Sequence, residues 1–102
     1  MINSEVIRGH IETIILNLLM EKDMYGYELA SEIKTRTKNL FNIKEATLYA
    51  VLQRLEKKEL ISSYLGEKTH GGKRRYYRVT PLGRAYYKEM LNEWNLLRKI
   101  MF

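Results

Sequence analysis

The chain is 102 residues long, carries a net charge of +6 and contains no cysteine. A chain of this length forms one domain with a single core and has little material for a deep catalytic cleft. The absence of cysteine excludes disulfides and thiol chemistry, which fits a reducing cytoplasm, where we expect the protein to act.

The positive charge is concentrated in the second part of the chain. Residues 1–60 contain nine Lys or Arg and nine Asp or Glu, whereas residues 61–102 contain nine and three. The densest segment, Gly66–Arg78, carries five cationic side chains and a single acid, Glu67. Such a cluster is typical of proteins that bind a polyanion, although a solvated surface hairpin can carry the same charges.

The first predicted helix covers about Glu5–Glu21. Its apolar residues recur at helical spacing and form a stripe that can bury against more than one neighbour: Ile7, Ile11, Ile14, Ile15, Leu18 and Leu19. The apolar run Ile11–Met20 is too short and too often interrupted by polar residues to span a bilayer. We therefore predict no membrane segment.

The second predicted helix covers about Met24–Thr37 and is capped by Asp23. Its expected buried side consists of Tyr27, Leu29, Ala30 and Ile33. Gly26 lies near its start and allows the close approach of another helix or of a phosphate. Tyr25 either donates a hydrogen bond to a phosphate at this helix N-terminus or packs against its neighbours, and the sequence leaves both open.

The third predicted helix, Lys44–Lys58, has two chemically different faces. Leu48, Leu52 and Leu55 recur at i, i+4 and i+7 and predict the buried side. The opposite side carries small, amide and cationic groups: Ala46, Ala50, Gln53 and Lys57, with Arg54 beside them. A helix face of this composition suits the major groove of DNA.

Two short strands follow, around Ile61–Leu65 and Arg75–Thr80, joined by a basic turn that contains glycine. Tyr77 and Val79 share one face of the second strand and are expected in the core. A polar-faced helix followed by a cationic hairpin is what a winged helix presents to DNA, with the helix in the major groove and the wing on the backbone. The predicted fold is therefore mainly α with a small β-hairpin wing.

The fourth predicted helix starts at Pro81 with Thr80 as its N-cap. Gly83 weakens its first turn by about 1 kcal/mol relative to alanine. Further along, the helix carries an apolar stripe formed by Tyr86, Met90, Trp94, Leu97 and Met101.

A single small domain has little surface left to cover this stripe, so we predict a homodimer. The stripe would pack on the N-terminal helix of the partner, near Ile7, Ile11 and Ile14. A two-fold dimer also matches a palindromic operator in double-stranded DNA.

Three segments of the chain match motifs of one known family: YGYEL at Tyr25–Leu29, ATLYAVLQRLEKKELI at Ala46–Ile61 and GGKRRYYRVTPLGR at Gly71–Arg84. Together they resemble the PadR family of bacterial winged-helix transcriptional regulators. A chain with one C-terminal helix is similar to the short PadR-type subfamily, whose members are typically dimeric repressors, some of them responsive to small aromatic or drug-like compounds. The resemblance implies a winged helix-turn-helix DNA-binding domain in residues 1–80 and a dimerisation helix in residues 81–102, folded as one cooperative unit.

The resemblance also implies DNA contacts. The family's TLY motif corresponds to Thr47–Tyr49, with Tyr49 at the DNA surface, and its basic wing corresponds to Lys73, Arg74 and Arg75. The helix cap that is often serine is Lys44 in this chain. Either Asn42 caps a slightly longer helix, or Lys44 forgoes about 1 kcal/mol of capping energy to place a cation near a phosphate.

We interpret four side chains of the third helix as base-edge and phosphate contacts rather than as an ordinary solvated face: Thr47, Tyr49, Gln53 and Arg54. Gln53 is the best candidate for a base contact, because its amide can pair bidentately with adenine. The wing cations are expected at phosphates or in the minor groove.

Trp94, the single tryptophan of the chain, has two interpretations. It either anchors the dimer or lines a pocket between subunits where it stacks an aromatic ligand. The flexible side chains of Met90 and Met101 beside it favour adaptable ligand binding.

The chain carries no nucleophile elbow, no P-loop and no acid–base pair, so we predict neither an enzyme nor a cofactor. His10 and His70 lie in different predicted elements without other ligands, so no metal site is predicted. The leading interpretation is a homodimeric repressor that a small hydrophobic or aromatic ligand releases from its operator. The alternatives are a winged-helix module that binds a partner protein through its C-terminal helix, and a regulator without a ligand.

Overall fold

The computed structural model describes residues 10–69 and 72–101, with the backbone alone at residues 67–69. Ile7 and the other residues of the predicted first helix before residue 10 lie outside these ranges. The elements in chain order are α1 (Ile11–Glu21), β1 (Met24–Tyr25), α2 (Gly26–Arg36), α3 (Glu45–Lys57), β2 (Ile61–Thr69), β3 (Gly72–Val79) and α4 (Pro81–Met101). The predicted class, mainly α with a β-hairpin wing, is confirmed.

The sheet has one strand more than the sequence predicted. β2 and β3 form the expected hairpin with longer strands, and β1 pairs with the other side of β3, so the antiparallel order is β1-β3-β2. The expected N-cap, Asp23, is wrong because Met24 and Tyr25 are extended and α2 begins only at Gly26. The Asp23 carboxylate instead accepts a hydrogen bond from the Tyr64 hydroxyl.

The buried side of α2 is formed by Leu29 and Ile33, with Ala30 partly buried. Tyr27 was expected on this side, and that prediction is wrong, since its side chain is 76% exposed. Residues two apart on a helix lie about 200° apart around the axis. With Leu29 facing the core, Tyr27 must point to solvent.

The core lies between the first three helices and the inner face of the sheet, which carries Tyr77 and Val79. Both side chains are buried, as predicted. The most deeply enclosed core side chains are Ile15, Leu16, Leu18, Leu19, Met24, Leu29, Ile33, Leu48, Val51, Leu52 and Leu55. All three leucines predicted for the buried side of α3 are among them.

The start of α4 is hydrogen-bonded to the connection between α3 and β2. The helix begins at Pro81, and the Gly83 N–H donates to the Thr80 hydroxyl at 3.0 Å, which confirms the predicted cap. The same hydroxyl donates to the Glu59 carbonyl at 2.7 Å. Gly83 is buried, and a methyl group at this position would overlap the carbonyl oxygen of Leu60.

The first half of α4 packs against α1. The Thr13 hydroxyl donates to the Met90 sulfur at 2.9 Å, and the Asn17 amide donates to the Tyr87 hydroxyl. Beyond Leu91, every residue of α4 up to Met101 is exposed. Among the helices that the structure describes, none is long and apolar enough to cross a membrane.

Candidate nucleic-acid interface

α3 has one buried side and one polar side that is exposed to solvent. Its four buried residues, Leu48, Val51, Leu52 and Leu55, anchor one side of the helix. The other side presents exposed side chains at Ala46, Thr47, Ala50, Gln53 and Lys57. The core therefore fixes α3 so that Thr47 and Gln53 point outward, as the sequence predicted.

The N-terminus of α3 lies at Glu45, with Lys44 at the cap position and no side-chain cap hydrogen bond. Asn42 therefore does not cap the helix. Lys44 is exposed at this end of the polar face, where a cation is available to a phosphate.

Tyr49 lies on the shoulder of α3 that faces α2 and is 40% exposed. Its ring rests on Gly26, where a methyl group would overlap the Tyr49 hydroxyl. The close approach that the sequence predicted at Gly26 is thus made by this side chain. Gly26 positions Tyr49 at the edge of the polar face.

Arg54 lies on the opposite shoulder and faces α1. Its Nε is 3.5 Å from Glu12 Oε1, and Lys58 Nζ is 3.4 Å from the same oxygen. Exposed ion pairs of this kind contribute about 0–1 kcal/mol. This weak pairing leaves Arg54 able to contact a phosphate, but the phosphate must compete with the Glu12 carboxylate.

The three predicted wing cations do not share one face of β3. Side chains alternate along a strand, so Lys73 and Arg75 lie on the side of Tyr77, and Arg74 lies on the outer side. Arg75 donates to the Ser63 hydroxyl at 3.1 Å, and that hydroxyl donates to Glu56 of α3 at 3.0 Å. Ser63 therefore links the wing to α3.

The outer face of the sheet carries three tyrosines, Tyr25, Tyr76 and Tyr64, which we call the tyrosine row. The Arg74 guanidinium lies 4.5 Å from the ring centre of Tyr25, and that of Arg78 lies 4.8 Å from the ring centre of Tyr64. Tyr25 thus packs against its neighbours, one of the two alternatives that the sequence left open, and its contact with a phosphate stays a prediction.

Sequence reasoning missed Tyr64 and the role of Asp23. The hydrogen bond to Asp23 raises the pKa of the Tyr64 hydroxyl above its ordinary value. Period-two alternation would have placed Tyr64 and Tyr76 on one face, but only the strand register brings both beside Tyr25.

The residues predicted for a dimer or ligand surface fall into two groups. Ile11 is buried within its own chain and Ile14 is partly buried. On α4, Met90 is half-buried, whereas three residues are exposed: Trp94 at 38%, Leu97 at 53% and Met101 at 69%.

A surface cavity of about 280 Å³ lies between α1, α3 and α4 and is lined by His10, Ile11, Glu12, Thr13, Arg54, Tyr86 and Met90. The Trp94 ring contacts His10 edge-on, with ring centres 5.2 Å apart. Among the residues that the structure describes, no three His, Cys, Asp or Glu side chains are grouped to hold a metal ion.

Comparison with known proteins places these features in a family. Residues 15–89 match the transcriptional regulator PadR-like family. An uncharacterized protein of Lysinibacillus sphaericus is 57% identical over 101 residues, or 99% of this chain and 93% of that protein. A transcriptional regulator from Clostridium thermocellum of known structure is 50% identical, with a TM-score of 0.83 over 99% of this chain and 95% of that one.

A more distant likeness concerns the fold alone. Bacillus subtilis PadR, whose structure was solved in complex with operator DNA, is 21% identical to this chain. The TM-score is 0.70, and the match covers 79% of this chain and 46% of that one.

Proposed function

Because this chain belongs to the PadR-like family of transcriptional regulators, we propose that it binds operator DNA, with α3 in the major groove and the β2–β3 hairpin on the backbone. Membership of this family places the chain among transcriptional regulators rather than enzymes, as the sequence predicted. We place its action in the cytoplasm, where it would meet its operator.

One observation carries the proposal: the exposed polar face of α3 lies beside a cationic hairpin to which Ser63 joins it. The amide of Gln53 points away from the core and suits a base edge. The wing cations supply charge-assisted contacts to phosphates, which dominate affinity and make it depend on salt. That Bacillus subtilis PadR was solved with operator DNA supports this use of the shared fold.

The exposed stripe of α4 supports a homodimer. Trp94, Leu97 and Met101 lie in water in the single chain together with Ile100, which is 73% exposed. Exposed apolar surface of this kind marks an interface, and a second copy of the chain offers a matching stripe. A dimer would contact two half-sites separated by about one turn of DNA, so its operator would be palindromic.

We further propose that the protein is a repressor and that a small hydrophobic or aromatic ligand releases it. The ligand would bind near Trp94 and Met90, beside the cavity that also contacts Arg54 of α3. It can release DNA only if it binds the DNA-incompetent arrangement of the dimer more tightly than the competent one.

Nuclease footprinting on the region upstream of the protein's own gene tests the operator proposal. We expect a protected, two-fold symmetric segment whose half-sites are about 10 base pairs apart, centre to centre. Absence of protection at low salt, on this region and on duplexes from neighbouring promoters, would contradict the proposal. It would favour the alternative in which α4 binds a partner protein.

The ligand proposal has a separate test, because Trp94 is the only tryptophan of the chain. We expect some planar aromatic compounds of a small panel to change Trp94 emission, to raise the melting temperature and to weaken operator binding. Emission and melting temperature that stay fixed across the panel would remove the ligand and leave a regulator that acts without one.

A further inference from the structure

The tyrosine row crosses the sheet with one residue from each strand. The register sets Tyr25 of β1 and Tyr64 of β2 opposite Tyr76 of the central strand β3. The Tyr64 and Tyr76 rings are stacked with centres 5.8 Å apart, and Tyr76 meets Tyr25 edge-on at 5.6 Å. A methyl group at Gly66 would overlap the Tyr76 ring, so glycine lets this ring lie flat on the wing.

The row lies where the wing leaves the three-stranded part of the sheet. β1 contributes Met24 and Tyr25, so among the described residues the hairpin beyond Tyr64 has no third strand. The pairing of β2 with β3 is also irregular between Leu65 and Lys68. Beyond this row the described part of the wing is a two-stranded hairpin, so its direction depends on the contacts at its base.

On the outer face of the sheet, a hydrogen bond ties this base of the wing to another part of the chain, in addition to the bond from Ser63 to Glu56 on the inner face. The Tyr64 hydroxyl donates to the carboxylate of Asp23, in the connection between α1 and β1. Three residues after Asp23, Gly26 begins α2, and Tyr49 of α3 rests on this glycine. The short segment from Asp23 to Gly26 therefore contacts both the wing and Tyr49, at the edge of the polar face of α3.

We propose that the hydrogen bond from Tyr64 to Asp23 fixes the wing relative to α3, and we call this bond the latch. Tyr64 and Asp23 are then positioning residues for DNA binding. The inference rests on the proposed function and deepens it, since neither residue is among the predicted DNA contacts. A wing held in place brings Arg74 and Arg78, already ordered over tyrosine rings, to phosphates with a smaller loss of conformational entropy.

Four variants of the full chain test the latch: Tyr64→Phe, Asp23→Ala, Asp23→Asn and the double variant Tyr64→Phe with Asp23→Ala. Tyr64→Phe keeps the ring and removes only the hydroxyl. Asp23→Ala and Asp23→Asn remove the same negative charge, but only asparagine keeps an oxygen that can accept the hydrogen bond. The alanine–asparagine comparison therefore separates the latch from simple electrostatics.

The measurements are the melting temperature and the affinity for the footprinted duplex across a salt series. We expect Tyr64→Phe to weaken binding by about fivefold to tenfold relative to the parent. Asp23→Ala should be weaker than Asp23→Asn by a similar factor, and the double variant should be no weaker than Tyr64→Phe. The salt slope should fall by about one for each wing phosphate contact that is lost.

Other results would overturn the latch. If Asp23→Ala binds as tightly as Asp23→Asn, the bond does not position the wing. If Tyr64→Phe weakens binding while Asp23→Ala does not, the hydroxyl itself touches DNA. Melting temperatures that fall while affinity and salt slope stay at parental values would make the bond purely structural. A parent that binds no DNA would instead contradict the proposed function, and the latch with it.

Discussion

Gly83 lies where the start of α4 crosses the connection between α3 and β2. Helix propensity disfavours glycine here, but the backbone carbonyl of Leu60 occupies the space that a methyl group would need. The position therefore holds glycine for packing, and the close approach lets Thr80 bond to both Gly83 and Glu59. The sequence revealed the weak helix former but not the carbonyl beside it.

Two effects of opposite sign on stability are expected for Gly83→Ala: a gain in helix propensity and an overlap with the Leu60 carbonyl. Propensity alone would stabilise the protein by about 1 kcal/mol. The overlap with Leu60 should outweigh this and lower the free energy of unfolding by at least about 1 kcal/mol, which corresponds to about 4–8 °C in melting temperature. Thermal unfolding followed by circular dichroism measures the sign, and a variant that melts higher than the parent would show that the backbone yields easily.

The pair of Arg36 and Glu21 makes part of the stability depend on pH. Arg36 donates to Glu21 through two N–H groups at 2.5 and 2.9 Å, and this bonding lowers the pKa of the Glu21 carboxyl below its ordinary value. Because the pKa of Glu21 is lowered in the folded state, the pair with Arg36 contributes fully to stability above the pKa of glutamate in the unfolded chain, about 4.3. It is lost as the pH falls through the folded value.

Glu21→Gln should therefore melt below the parent at pH 7, and the difference should shrink as the pH falls below about 4.3 and disappear once Glu21 is protonated in the folded protein. Melting curves at several pH values measure it. Because both side chains are exposed, high salt should also shrink the difference. A difference that persisted unchanged into acid would mean that the charge of Glu21 is not its cause.

At the scale of elements, α3 and the wing were predictable because their patterns are long. Leu48, Leu52 and Leu55 repeat over about two helical turns, and Tyr77 and Val79 alternate along β3. β1 was missed because two residues show no periodicity, and its loss also displaced the cap to Asp23. Tyr27 was placed inside for a different reason: its apolar ring was counted with Leu29, although helical spacing puts the two side chains about 200° apart.

Because α3 is proposed to contact bases and the wing to contact phosphates, substitutions in the two elements should have different effects. Gln53→Ala should remove a base contact and lower the preference for the operator over a scrambled duplex by about 1–3 kcal/mol. Lys73→Ala should weaken binding to both duplexes about equally and reduce the salt slope by about one. Binding of each variant to both duplexes measures this, and equal loss on both duplexes for Gln53→Ala would mean that it reads no base.

At the scale of the whole molecule, the second half of α4 stands out because its apolar side chains are exposed in the single chain. Thr13 and Asn17 of α1 hold its first half, but the apolar side chains beyond Leu91 are exposed. The sequence predicted this stripe from spacing alone. Which surface covers it depends on the shape of two chains together, and spacing within one chain carries no such information.

Leu97→Glu tests the dimer, with Asn95→Glu as its matched control on the same helix. Both add one negative charge at an exposed position, but only Leu97 lies on the apolar stripe. We expect Leu97→Glu to weaken self-association by at least about 2 kcal/mol and Asn95→Glu to leave it near the parental value. Sedimentation equilibrium measures the mass, and a Leu97→Glu protein with the parental mass would contradict this interface.

Fluorescence anisotropy of the full chain tests operator binding, on a duplex from upstream of its own gene and on a scrambled duplex, over a salt series of about 50–200 mM. If α3 reads bases and the wing neutralises phosphates, binding is tight on the native duplex, falls steeply with salt and is much weaker on the scrambled one. Absence of binding at the lowest salt, or the same affinity for both duplexes, would contradict the account of this chain as an operator-binding regulator.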